Sequence, residues 1–117
     1  MKDRFKAEQP KAALLKTVLL ETLVERMVKA VSPLKIILFG SAARGEMNAD
    51  SDLDVLVVMP DGTPCASTAR YLYRMMSGFG FPLDILVTTP SSLEKHRDNP
   101  GLIYRTILAE GKEIYVA

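Results

Sequence analysis

Apolar residues recur through the first third of the chain at the spacing of one helix face. Leu15, Leu19, Leu23 and Met27 form the stripe, and Leu20, Val24, Val28 and Val31 widen it. The pattern predicts a long amphipathic helix from Pro10, a residue suited to a first helical turn, to about Val31. Residues 1–9 are polar and read as a loose lead-in. Ser32-Pro33 ends the helix, because the residue before a proline is pushed out of helical geometry. The period then changes. Leu34 to Phe39, stopped by Gly40, and Leu53 to Met59, closed by Pro60-Asp61-Gly62, predict two buried strands.

Thr63-Pro64 pairs an N-cap residue with a proline at the first helical position, so a second helix is expected there. Its apolar side is Tyr71, Leu72, Met75 and Met76, and it ends near Gly78-Phe79-Gly80. Leu83 to Val87 predicts a third strand. Thr89-Pro90 repeats the cap signature and opens a helical segment through about Arg97. Asn99-Pro100-Gly101 breaks it. Leu102, Ile103, Ile107 and Leu108 then predict a short helix stopped by Gly111, and Glu113 to Val116 a closing strand. Strands alternating with helices put the fold in the α/β or α+β group. Strand order is not readable from this pattern.

Composition narrows the picture. The 117 residues fit one domain, and 48% hydrophobic content is enough to build its core. A formal net charge of +1 gives no bulk attraction for nucleic acid or an anionic membrane. The single cysteine, Cys65, rules out an internal disulfide and a cysteine-rich zinc site. No apolar run approaches the ~20 residues of a membrane span, and Met1-Lys2-Asp3-Arg4 lacks the apolar stretch of a signal peptide. These features lead to the expectation of a soluble, cytoplasmic protein.

The chemistry is concentrated between Phe39 and Asp54. A strand ends at Gly40, the small residues Ser41-Ala42-Ala43 turn the chain, and a loop leads to Asp52 and Asp54 at the start of the next strand. Side chains alternate along a strand, so Asp52 and Asp54 face one side about 7 Å apart, while Leu53, Val55 and Val57 face the core. Carboxylates so placed repel one another unless a cation lies between them. Their oxygens suit Mg²⁺ or Mn²⁺ rather than zinc. Asp84 is the one charge in the apolar run from Phe81 to Thr88, and it joins them if its strand lies beside the second. Three carboxylates around two divalent ions make a site for in-line phosphoryl displacement. Gly40 lets backbone approach phosphate oxygens, Ser41 offers a hydroxyl and an N–H, and Arg44 offers a charge-assisted contact.

Gly40-Ser41, ten residues, then Asp52-x-Asp54 resembles the signature of the DNA-polymerase-β-like nucleotidyltransferases. The Gly-Ser-x-Ala-Arg-Gly form, and the run from Ala109 to Tyr115, look like the minimal nucleotidyltransferases of bacteria and archaea. The resemblance implies a small mixed sheet flanked by helices, with the site at one end of the central strands. It implies triphosphate binding by Gly40 and Ser41, and metal ligation by Asp52, Asp54 and Asp84, the last near the attacking hydroxyl. It also implies ATP as donor, two Mg²⁺ ions, and a helical partner of the HEPN type. That partner would be a ribonuclease toxin and this chain its antitoxin, transferring AMP to a partner tyrosine. Transfer to a small molecule with a partner's help, and a non-catalytic antitoxin that covers its target, remain the alternatives.

Other residues invite plainer readings. Arg44 could equally form a surface salt bridge. His96 is expected to be exposed, and Cys65 to be a small helix-side filler. Tyr71, Tyr73, Met75 and Met76 are expected in the core, and the broad apolar stripe of the first helix leaves room for an interface.

Overall fold

The computed structural model describes the backbone of residues 2–46 and 52–117 and the side chains of residues 16–46 and 52–117. Residues 47–51, read above as part of the loop leading to Asp52, lie outside the described residues.

Helix α1 runs Lys2–Val31, so it takes in most of the segment expected to be a loose lead-in. Arg4, Lys6, Ala7, Glu8 and Gln9 are strong helix formers, and a helix once nucleated extends one residue at a time. Pro10 is therefore interior to the helix, at the cost of a backbone bond it cannot donate. The C-terminus is where the sequence places it, but the geometry differs. Ser32 turns left-handed at φ 47, and its N–H donates to the Val28 carbonyl at 2.9 Å. This is a left-handed helix stop, made here by a serine instead of a glycine.

Strands β1 (Lys35–Phe39), β2 (Leu53–Val58), β3 (Leu83–Thr88) and β4 (Lys112–Val116) form one sheet in the order β3-β2-β1-β4. β1 pairs antiparallel with β2 and β4, and β2 pairs parallel with β3. The sheet is mixed and flanked by helices, as expected. Between the strands lie α2 (Gly40–Ala43), α3 (Cys65–Met75), α4 (Pro90–His96) and α5 (Tyr104–Glu110).

Both faces of the sheet are covered. Leu23 and Met27 of α1 and Leu72 and Met76 from α3 and its end pack on Ile36, Leu38, Leu53, Val55, Val57 and Ile85. On the other face Ile107 of α5, helped by Leu93 and Tyr104, closes over Ile37, Phe39, Leu56 and Val58. Complete burial of each such aliphatic side chain contributes about 1.5–3 kcal/mol.

Two expectations for α3 need correction. Thr63 does not cap it: Pro64 is the N-cap residue, and the Thr63 hydroxyl donates instead to the Pro60 carbonyl at 2.6 Å, closing the turn. Of its expected apolar side, only Leu72 and Met76 are buried, whereas Tyr71, Tyr73 and Met75 are exposed. Leu72 and Met76 are four apart and share a face, while residues 71, 73 and 75 point off it. At α4 the expected cap is present, with the Thr89 side chain accepting from the Ser92 N–H. Gly111 ends α5 at φ -69, so handedness is not the reason for a glycine. A Cβ there would come within 2.5 Å of both the Ile107 carbonyl oxygen and Ile37 Cγ2.

Candidate active site

The site forms where β1 ends and β2 and β3 begin. Phe39, last residue of β1, pairs with Asp54, and Asp54 pairs in turn with Asp84 across the parallel β2–β3 ladder. Register partners on adjacent strands point to the same side, about 4.8 Å apart along the hydrogen-bonding direction. Asp54 and Asp84 therefore stand side by side, on the face that carries Leu56, Val58 and Leu86 beneath α5. The apolar cover stops short of them.

Gly40 turns the chain away from β1 at φ +71, a conformation that L side chains rarely adopt. A Cβ at this position would fall on the Asp54 carboxylate, within 3.1 Å of its Cγ. The glycine thus makes room for the aspartate. The following turn, α2, starts with no side-chain cap on its N–H groups, with Ser41 half-buried and Ala42 and Ala43 in the core. Lys16 of α1 donates to the Ala42 carbonyl at 3.2 Å and ties that helix to the turn.

The electrostatics are unfavourable for a bare carboxylate. Burial pushes the Asp54 carboxyl above its ordinary range, Asp84 and Asp52 push it further, and Arg44 pulls it partly back. Asp84 and Asp52 are exposed. Arg44 Nε lies 3.2 Å from Glu46 and Nη1 3.8 Å from Glu110, so its guanidinium is held by surface carboxylates while still acting on Asp54.

Among the described residues, no three acidic, histidine or cysteine side chains converge closely enough to hold a metal ion. The sheet brings Asp54 and Asp84 together and places Asp52 one residue ahead of β2, exposed but near enough to act on the Asp54 carboxyl. Two carboxylates still fit Mg²⁺, which commonly takes one or two protein carboxylates and completes its shell with water and substrate phosphates. A desolvated carboxylate facing like charges is the kind of group such a cation relieves.

The sequence pattern does not single out Tyr73 as a site residue. Its hydroxyl lies 3.4 Å from Asp84 Oδ1 and accepts from the Ile85 N–H at 2.8 Å. Nothing local marks it: it looks like one more apolar position of α3, and only the packing of α3 on β3 reveals its reach. His96 is partly covered and stacks on Tyr104, with ring centroids 6.5 Å apart.

Comparison with known proteins fits this geometry. Residues 20–116 match the nucleotidyltransferase domain family, a span that includes every residue of the site. The chain belongs to that family. This nucleotidyltransferase is 33% identical over 54 residues to a "putative protein adenylyltransferase" of Methanocaldococcus jannaschii. That alignment covers 46% of the chain and 54% of the relative, so it spans about half of the curated relative's length. Its fold is similar to the crystal structure of a "putative nucleotidyltransferase" from Sulfolobus solfataricus, at a TM-score of 0.57 and 21% identity. The likeness covers 86% of this chain and 83% of that one. It is also similar to a chain from a crystal structure of a toxin-antitoxin with AMP-PNP, at a TM-score of 0.59 and 20% identity. There the match covers 83% of this chain and 73% of the other. At these identities the likeness to the solved structures is one of fold. No helix among the described residues of the nucleotidyltransferase is long and apolar enough to cross a membrane.

Proposed function

We propose that this nucleotidyltransferase is the antitoxin of a toxin–antitoxin pair, transferring AMP from ATP to a tyrosine hydroxyl of a HEPN-type ribonuclease. The observation that carries the reading is the pairing of Asp54 with Asp84 on one face of the sheet, beyond its apolar cover. A relative named for protein adenylylation and a structural neighbour from a toxin-antitoxin with AMP-PNP support the choice of acceptor and partner.

In the reaction, the acceptor oxygen attacks the α-phosphorus, the bond to the β-phosphate oxygen breaks, and pyrophosphate leaves. Asp84, the exposed member of the pair, receives the hydroxyl proton from the solvent side. Gly40 and Ser41 cradle the triphosphate with backbone N–H groups and the Ser41 hydroxyl, and Arg44 adds positive charge at the rim. Asp54 and Asp84, with Asp52 near the entrance of β2, are the residues that would hold Mg²⁺, which would supply charge neutralisation for the transferring phosphoryl group. With so little covalent work for the protein, positioning and electrostatics supply most of the rate.

Incubating the protein with labelled ATP, Mg²⁺ and the protein encoded beside it, then locating the label by mass spectrometry, tests the proposal. Label is expected on a partner tyrosine, with Asp54→Asn and Asp84→Asn each lowering transfer by about 100-fold or more. Label on a small molecule would move the acceptor elsewhere. A complex that inhibits the partner without transfer, and is indifferent to Asp54→Asn, would replace catalysis with sequestration.

A further inference from the structure

Tyr73 is half-exposed, on a helix whose Leu72 and Met76 are locked into the core on the sheet's other face. Its ring reaches around the outer edge of β3, the end strand of the sheet. There the hydroxyl oxygen accepts from the Ile85 N–H at 2.8 Å. A phenol has one proton to donate, and with the oxygen fixed by Ile85 that proton has Asp84 Oδ1, 3.4 Å away, within reach. Among the described hydrogen bonds, no other side chain engages Asp84.

We infer that Tyr73 is a positioning residue for Asp84, holding one carboxylate oxygen so that the other is presented to the cation and the acceptor. This rests on the assignment of Asp84 to the active site. An exposed aspartate otherwise samples several rotamers and must lose that freedom each time a cation binds. A partner anchored to the backbone of the same strand removes part of the cost beforehand, as the groups behind metal ligands commonly do. The anchor is rigid at both ends: Ile85 is the next residue along β3, and Leu72 fixes the helix.

The test is a mutant cycle on the full-length chain, reading binding of Mn²⁺ alone by the EPR signal of the free ion. Kinetics of AMP transfer are measured alongside. Tyr73→Phe keeps the ring and removes both bonds. It is expected to weaken Mn²⁺ binding about tenfold, the low end for a group behind a metal ligand, because the bond is long and half-exposed. kcat should fall with little change in KM for ATP. In an Asp84→Asn background the same change should have no further effect on Mn²⁺. Equal loss with and without Asp84, or unchanged Mn²⁺ affinity, would show that the tyrosine merely supports the edge of the sheet. If Tyr73→Phe melts below the assay temperature, Mn²⁺ binding is read below its melting point, and the same comparison decides. Mn²⁺ binding needs no acceptor, so failure of the antitoxin reading and failure of this one are separable.

Discussion

Asp54 sits where the fold itself would favour a neutral side chain. Its carboxyl is raised by burial and by Asp84 and Asp52, so the folded protein holds that proton more tightly than the unfolded chain. Stability linked to a raised group is present below the ordinary value of 3.8 and is lost as pH rises through the folded value. Asp54→Asn should therefore raise Tm at pH 7 while lowering transfer by about 100-fold or more. The gain should vanish below about pH 3.8, where both states are protonated. Differential scanning calorimetry across that range checks it, and a Tm that falls at pH 7 would contradict the electrostatic account. A stabilising substitution that destroys activity is the mark of a group kept for function. Gly40 was legible in the sequence, yet its reason was only half visible. The motif implies close approach of backbone to phosphate, and in the structure the Asp54 carboxylate also fills the space a Cβ would need.

Elements were easiest to locate where one local rule decides. Thr89 caps α4 as its side chain and the following proline predict, and α5 stops at Gly111. Boundaries set by competing partners were less visible. Thr63 has the chemistry of a cap but spends its hydroxyl on the Pro60 turn, and Ser32 adopts a left-handed stop that the Ser-Pro pair does not announce. The Pro60 turn also reaches forward. Asp61 accepts from the Ser91 hydroxyl at 2.7 Å and the Ser91 N–H at 2.9 Å, clamping the start of α4. Those bonds hold the Asp61 carboxyl below 3.8, so their contribution is present above that pH and fades as pH falls through the lowered value. Asp61→Ala should lower Tm slightly at neutral pH and by progressively less as pH falls below 3.8, as thermal melts across that range would show.

Strand order was beyond the sequence, because it depends on which apolar runs find one another and not on any run alone. The spacing of Asp52 and Asp54 put both on one face, but their relation to Asp84 waited on β2 and β3 being parallel neighbours in register. Convergence of all three carboxylates was the expectation. The sheet delivers two of them paired, with the third at the strand's entrance. The face that bears them depends on a small apolar patch in which Ile107 is the central plug, 1% exposed. Ile107→Ala should cost about 2–5 kcal/mol by denaturant titration, a large fraction of the stability of a domain this size.

The phenol at the border of β3 bears on the molecule's solubility as well. An end strand displays outward-facing amides that can recruit a foreign strand and seed aggregates. At Ile85 that donor is already taken by a side chain of the same molecule. The chain can thus keep an accessible pair of carboxylates at the margin of its sheet without leaving every donor there open to intruders.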